Sequence, residues 1–416
     1  MKFKGIWIFL SISILLALAG ALPAKATEPS EGLPLITVES QTFGKILVRV
    51  PDFKGDPSVS AKLTSLLRRM INLHLFVLAT PNPPFSQPIS KEYYLTGSFS
   101  LTSSEITFKG QLEDLLEKKI IGEYHLKSSP SQPERLIYIL TNKIIEDLSH
   151  HKGIAYSKVA FVKRVLGKDR LYLADFSKEN PKELRSAPLI LFPKFSPSGQ
   201  KLAYLVYEKH LYSLEILNLK TGEKKAFNIK GISSTPVWSP DEKSLFLTIE
   251  DQAEIVIYRF SLENQTLEPI LGGEGVYQVG DLSQDGKKLL YVHDKRTGKP
   301  SINLFDLETK QTKKISKLRA YNTSPRFSPK GDKVLYLSRG GGLTYLVLQD
   351  LATGKEEKFA FKGRLEDPAF SPTGDYLLAS GEGPQGHGIY LIHLPSHLYQ
   401  VYISGKNFLF PTWSKL

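Results

Sequence analysis

The segment PKFSPSGQKLAYL (193–205) decides the fold, because the chain repeats it. A shortened copy, PTWSKL, begins at Pro411. The complete later copies are PVWSPDEKSLFLT (236–248), GDLSQDGKKLLYV (280–292), PRFSPKGDKVLYL (325–337) and PAFSPTGDYLLAS (368–380). Their shared serines are 43, 44, 45, 43 and 43 residues apart: Ser196, Ser239, Ser283, Ser328, Ser371 and Ser414. A regular period of this length is typical of propeller blades.

Each repeat has the chemistry of four short antiparallel strands. A proline is tolerated at the start of a strand, and Ser-Pro followed by Gly favours a tight turn. A second apolar strand follows, then a third such as SINLFDL (301–307), a polar turn and a fourth strand. Glu242 replaces the glycine of one repeat, and Gly280 and Gln284 replace both prolines of another. We interpret these differences as local variations of the turn.

The incomplete repeats at the two ends of this region complement each other. Three predicted strands before the first full repeat lack a first strand: 154–162, 169–176 and 181–187. FPTWSKL (410–416) supplies a first strand without the other three. Joining them predicts a six-bladed β-propeller over residues 153–416, closed by the C-terminal strand, with Phe410 and Trp413 packed between neighbouring blades. Such closure pairs the strand edge that an open ring would leave exposed.

A separate pattern precedes the repeats. Apolar residues recur at helical spacing over 57–72 and 133–149, and alternating segments between them predict a meander of strands. We therefore expect a small α/β domain over residues 27–152. The predicted fold class is mixed α/β plus all-β.

The first 26 residues have the pattern of a signal peptide. Lys2 and Lys4 precede an apolar run that is shorter than the ~20 residues of a membrane span. Ala24-Lys25-Ala26 predicts cleavage after Ala26, with Ala21 as a second candidate; an uncleaved membrane anchor is the alternative. We expect an exported protein without a direct membrane span, located in a bacterial periplasm.

Composition excludes several classes of function. The chain has no cysteine, so it has no disulfides, thiolate metal sites or cysteine nucleophiles. The formal charge of +12 falls to +9 once the three lysines of the signal are removed. No dense run of Lys and Arg accompanies this excess, and the predicted export argues against a nucleic-acid partner. We interpret the excess as a solvated surface with a basic bias.

Enzymatic alternatives find little support in the sequence. A propeller peptidase needs a G-x-S-x-G nucleophile turn, and none is present. His393 and His397 are four residues apart, but they flank a predicted strand-to-strand turn, where this spacing does not place two metal ligands together. We predict no catalytic, metal-binding or cofactor-binding residues and no cofactor. The alternative is a periplasmic propeller enzyme, a lyase or hydrolase, of unknown substrate.

The order of signal peptide, small α/β domain and propeller with P-x-[FW]-S-P-x-G repeats and an F-P-x-W-S closing strand resembles the TolB family. TolB proteins are periplasmic propeller proteins of the Tol–Pal system. The resemblance covers essentially the whole mature chain. It implies a non-enzymatic, monomeric scaffold that binds the lipoprotein Pal over one mouth of the propeller. It also implies contact with a TolA-like protein through the N-terminal region, and a role in outer-membrane integrity and cell division.

The resemblance also implies where Pal would bind. In that family Pal contact concentrates just before the P-x-W-S strands, in segments expected here to be loops that rim one face. The matching residues are Ser234, Thr235, Tyr277, Gln278, Asn322, Thr323, Glu366 and Asp367. The alternative is that they are ordinary turn residues. Charged residues at loop tips are expected to form the rim of the interface: Glu208, Lys209, Asp294, Lys295 and Arg339.

Overall fold

The computed structural model describes residues 44–82, 89–178, 181–251, 254–317 and 320–414. The predicted signal peptide, its cleavage after Ala26 and the start of the predicted α/β domain lie outside these residues. Within the described ranges, no helix is both long enough and apolar enough to cross a membrane.

The N-terminal region is a five-stranded sheet with two helices. Its elements are β1 (Lys45–Arg49), α1 (Pro57–Asn72), β2 (Val77–Thr80), β3 (Ile89–Leu101), β4 (Ile106–Asp114), β5 (Lys119–Ser128) and α2 (Pro133–Ser149). The strand order is β2-β1-β3-β4-β5, with β1 parallel to both neighbours and β3 to β5 antiparallel. Both predicted helices and the predicted meander are confirmed.

The helices form where apolar side chains share one face. Leu63 and Met70 of α1 are fully buried, as are Leu140 and Ile144 of α2. Pro133 stands at the start of α2, where its missing N–H costs no hydrogen bond. The two helices thereby cover the core of the sheet.

In the described residues after α2, the regular elements are all strands. They are β6 (Lys158–Val165), β7 (Lys168–Asp175), β8 (Lys182–Ala187), β9 (Leu189–Phe195), β10 (Lys201–Glu208), β11 (Leu211–Asn218), β12 (Lys224–Phe227), β13 (Val237–Trp238), β14 (Ser244–Asp251), β15 (Glu254–Ser261), β16 (Leu267–Leu271), β17 (Val276–Leu282), β18 (Lys288–Asp294), β19 (Ser301–Asp306), β20 (Thr312–Lys314), β21 (Tyr321–Phe327), β22 (Lys333–Gly340), β23 (Leu343–Asp350), β24 (Glu356–Lys362), β25 (Arg364–Phe370), β26 (Tyr376–Gly383), β27 (Gly386–His393), β28 (Leu398–Ser404) and β29 (Phe408–Trp413).

These strands form a β-propeller arrangement of five sheets. Four sheets have four strands each: β9 to β12, β21 to β24, β25 to β28, and β29 with β6 to β8. The fifth sheet has eight strands, β13 to β20, and it differs from the predicted one sheet per repeat. It is continuous because Ile255 of β15 pairs in parallel with Val276 of β17, which links two successive repeats.

The repeated serine closes the turn between the first and second strands. Its hydroxyl accepts the N–H of the residue five positions later, as Ser371 does from Tyr376 at 3.2 Å. The same bond forms in the other complete repeats, at Ser196, Ser239, Ser283 and Ser328. All of these serines are buried, so the hydroxyl supplies an acceptor that water cannot.

The C-terminal strand completes a sheet that begins some 250 residues earlier. β29 pairs antiparallel with β6, from Phe408 opposite Lys163 to Trp413 opposite Val159. Ser414 accepts the N–H of Lys158 at 2.9 Å, which reproduces the serine bond of the other repeats without a connecting turn. The predicted pairing of the terminal strand with the first blade is therefore confirmed.

The N-terminal region and the propeller share one hydrophobic core. The cluster that contains Met70 of α1 also contains Phe176, Tyr376 and Trp413 of the propeller. His74 lies at the centre, where its Nε2 accepts the N–H of Ile154 at 3.3 Å and its carbonyl accepts the Tyr376 hydroxyl at 3.1 Å. Burial lowers the pKa of His74 to about 4, so the ring is neutral near pH 7. The sequence predicts only a covalent junction at this point.

Candidate partner-binding face

We call the first strand of each repeat the inner strand, and in β9, β21, β25 and β29 it has a bulge immediately before the repeated proline. The residue at this point has a positive φ in four repeats: Phe192, Ser324, Asp367 and Phe410, at 54°, 54°, 50° and 51°. Pairing with the second strand shifts register at the same points. A positive φ is unfavourable for residues with a side chain and is often found at functional sites.

On the N-terminal side of the bulge the inner strand pairs with the second strand again, so most of the predicted contact residues lie in strands. Tyr277 and Gln278 belong to β17, Asn322 and Thr323 to β21, and Glu366 and Asp367 to β25. Only Ser234 and Thr235 precede their strand, β13. The segments expected to be loops are therefore the N-terminal ends of strands in β17, β21 and β25. The inner strand begins several residues before the proline, because pairing continues on both sides of the bulge.

Two of the eight predicted residues are buried. Ser234 is 0% exposed and its hydroxyl accepts the N–H of Thr248 at 2.9 Å. Asn322 is 1% exposed and its amide donates to the carbonyl of Pro300 at 3.2 Å. These two side chains hold neighbouring segments in place. The other six are partly exposed: Thr235, Tyr277, Gln278, Thr323, Glu366 and Asp367.

Tyr277 is the largest of the partly exposed side chains. Its ring stacks on His293 with centroids 4.4 Å apart and lies 5.9 Å from Tyr291. Stacking on both neighbours restricts the ring, so a partner would order it at little entropic cost. Tyrosines of this kind commonly dominate the energy of protein interfaces.

Glu366 lies between two arginines. Its Oε1 atom is 2.7 Å from Arg364 Nη2 and 3.3 Å from Arg339 Nη2. Arg339 also donates to the carbonyl of Leu365 at 3.0 Å and lies over the ring of Tyr321, 5.8 Å from its centroid. Arg339, predicted as a rim residue, is thus part of a network that sequence reasoning did not identify, because Arg364 lies outside the repeated motif.

Asp367 lies at the bulge of β25. Burial raises the pKa of its carboxyl to about 7, and the charge of Glu366 acts in the same direction, while Arg326 and Arg339 oppose it. A carboxyl with this pKa changes charge close to neutral pH.

The variable residue of the P-x-[FW]-S motif carries charges that sequence reasoning missed. Lys194 of β9 and Asp281 of β17 lie 3.9 Å apart although a complete repeat separates their strands, so the contact spans the inner side of the ring. Arg326 donates to the carbonyls of Gly280 and Pro368 at 2.9 and 3.2 Å. Alternation along the strand could have indicated these positions, since the apolar residue that follows each of them packs into a core.

The histidines considered as metal ligands have other neighbours. His393 stacks on Phe76 at 5.0 Å and contacts Tyr376 at 4.7 Å, whereas His397 lies 5.5 Å from Phe359. Among the described residues, no three His, Asp or Glu side chains are grouped so that they could hold a metal ion.

Comparisons with known proteins agree with this architecture. Residues 145–416 match the family model described as the TolB beta propeller domain. The chain is 26% identical over 234 residues to the protein TolB homolog of Chlorobium chlorochromatii, which covers 55% of this chain and 53% of that relative. It is 27% identical over 233 residues to the Tol-Pal system protein TolB of Desulfotalea psychrophila, covering 52% and 53%. The chain thus spans about half the length of the curated relatives it matches.

A solved structure extends the similarity to the N-terminal region. The crystal structure of TolB from Acinetobacter baumannii aligns with a TM-score of 0.80 at 20% identity, covering 89% of this chain and 97% of that one. At this identity the match supports the fold. The family model covers well over half of the chain, and the protein therefore belongs to the TolB family.

Proposed function

We propose that the protein is a non-enzymatic periplasmic scaffold of the Tol–Pal system. It binds a Pal-like peptidoglycan-associated lipoprotein through the face described above, and a TolA-like protein through its N-terminal region. Its role is in outer-membrane integrity and in envelope constriction during cell division. Family membership supports this proposal, as does the name of the Desulfotalea psychrophila relative, a Tol-Pal system protein.

The proposal includes the division of the chain. A signal peptide over 1–26 is removed, and the mature monomer has an α/β domain over 27–152 and a propeller over 153–416. We interpret the eight-stranded sheet as two adjoining blades, because its two halves each follow the order of a repeat. With four separate four-stranded sheets, this interpretation gives a six-bladed ring.

The observation that carries the proposal is that the N-terminal ends of β17, β21 and β25, which have the same place in their repeats, are partly exposed. Tyr277, Gln278, Thr323 and Glu366 all lie on the same side of the bulge in their strands. Because paired strands hold these side chains, the face is ordered before a partner arrives.

Isothermal titration of the purified protein with the soluble domain of a Pal-like lipoprotein from the same organism tests the proposal. Tyr277→Ala is expected to weaken binding about tenfold or more, equivalent to about 1.4 kcal/mol. The matched control is Tyr258→Ala, which removes a partly exposed tyrosine of β15. No binding by the unmodified protein, or equal losses in both variants, would contradict the proposed face.

A further inference from the structure

A groove of about 830 Å³ opens at the edge of the same face, between the β22–β23 hairpin and the start of β25. We call it the rim groove, and define it by Tyr321, Arg339, Lys362, Arg364 and Glu382. Glycines form much of the remaining lining, so the backbone is accessible along its walls. Gly363 has a φ of 130°, and a Cβ there would lie 2.2 Å from the carbonyl oxygen of Glu382, so this close approach requires glycine.

The rim groove has an excess of positive charge. Arg339 and Arg364 share a single carboxylate, Glu366, and both guanidinium groups approach the same oxygen atom. Lys362 is exposed at the edge, and Glu382 is directed to His387, 3.4 Å away. Arg339, Arg364 and Lys362 thus bring three positive charges to the groove, and Glu366 and Glu382 bring two negative charges.

Arg339 is not saturated by its own chain. Its side chain is 21% exposed, and its Nη2 atom makes both of its hydrogen bonds. The buried Nε atom has no hydrogen-bond partner among the described residues. A guanidinium group has five N–H donors in a planar fork, which suits a second carboxylate.

We propose that the rim groove binds an acidic peptide segment of a protein partner, with one carboxylate placed against Arg339 and Lys362. This inference rests on the proposed function, since the groove adjoins the face assigned to a Pal-like lipoprotein. The groove already holds one carboxylate, that of Glu366, between guanidinium groups. Glu366 and Glu382 oppose a more highly charged phosphate, and the glycines of the walls leave room for an extended chain.

Fluorescence anisotropy tests the groove directly, with a labelled peptide of alternating Asp and Gly as the probe. Lys362→Glu is the first variant, because Lys362 is exposed and its replacement disturbs no buried contact. Its matched control is Lys330→Glu, which makes the same charge change in the turn between β21 and β22, at the opposite end of the same sheet. Lys362→Glu should weaken binding at least about threefold at low salt and less at high salt. Glu382→Gln should strengthen it.

The same variants are then titrated with the Pal-like domain. If Lys362→Glu weakens peptide binding more than Lys330→Glu does, the result supports peptide binding in the rim groove. This holds even if the Pal-like domain does not bind, and then only the proposed function is wrong. If the two lysine variants have equal effects on peptide binding, the proposed binding of an acidic peptide in the rim groove is wrong. The proposed function still stands in that case if Tyr277→Ala weakens binding of the Pal-like domain. Displacement of the peptide by inorganic phosphate at matched ionic strength overturns peptide binding in the rim groove as well, in favour of a simple anion site.

Discussion

Replacing Trp413 by Ala tests how the ring is closed. Trp413 is 7% exposed, stacks on Phe176 at 5.5 Å and donates its indole N–H to Ser157. Truncating a buried Trp to Ala costs about 3–5 kcal/mol. For a chain of this size the entropy of unfolding is on the order of 0.8 kcal/mol per kelvin, so the Tm should fall by about 5 °C.

Trp238→Ala is the matched control, because Trp238 has the same place in its repeat and is 5% exposed. Its indole donates to the carbonyl of Lys194 at 3.2 Å. Both variants should lose similar stability, but only Trp413→Ala should accelerate hydrogen exchange in β29 and β6, since β29 is joined to that sheet solely by non-covalent contacts. Deletion of residues 406–416 should destabilise the whole propeller further. Unchanged exchange in β29 after Trp413→Ala, or a truncated chain that melts like the intact one, would refute the closure.

Three further predictions concern hydrogen bonding and pH. His74 has a pKa lowered from 6.5 to about 4, so the unfolded state binds a proton at this residue first as the pH falls. The contribution of His74 alone should be a loss of about 3 kcal/mol of stability between pH 6.5 and 4, and His74→Gln should remove that contribution from a urea-denaturation series. Asp367 acts in the opposite direction: because its pKa is raised, its contribution to stability is lost as the pH rises from about 4 to 7. Asp367→Asn should therefore be more stable than the unmodified protein at pH 8 by more than about 1 kcal/mol. Equal urea midpoints of the two proteins at pH 8 would contradict this. Ser414→Ala removes the acceptor of the Lys158 N–H and should cost about 1–2 kcal/mol in equilibrium unfolding; Ser371→Ala should cost less, because its turn remains covalently continuous.

The sequence predicts the architecture well because the repeats restate one strand pattern. The period places the inner strands, and the incomplete repeats predict the pairing of β29 with β6. Helical spacing alone predicts α1 and α2 at their observed bounds. These features depend on local chemistry, namely turn residues and apolar periodicity, which a single sequence contains.

Features that depend on contacts distant in sequence could not be predicted. The parallel contact between Ile255 and Val276 joins two repeats through their relative positions, which the motif does not specify. The burial of Ser234 and Asn322 depends on Thr248 and Pro300, which lie in other segments of the chain. The placement of His74 between the two regions likewise results from packing across the whole chain.

The candidate site was hardest to predict because it depends on positions where the repeats differ. The shared serine builds the ring in every repeat, and so does the aromatic residue before it in all repeats but the one with Leu282. These residues therefore carry no information about which side of the face a partner contacts. Lys194, Asp281 and Arg326 occupy one variable position; Lys194 and Arg326 place positive charges on the inner side of the ring, and Asp281 places a negative one. Asp367 occupies another variable position, which in the first repeat is occupied by an aromatic residue. The repeats therefore make the scaffold regular, and the departures from the repeat give the inner side of the ring its particular charges.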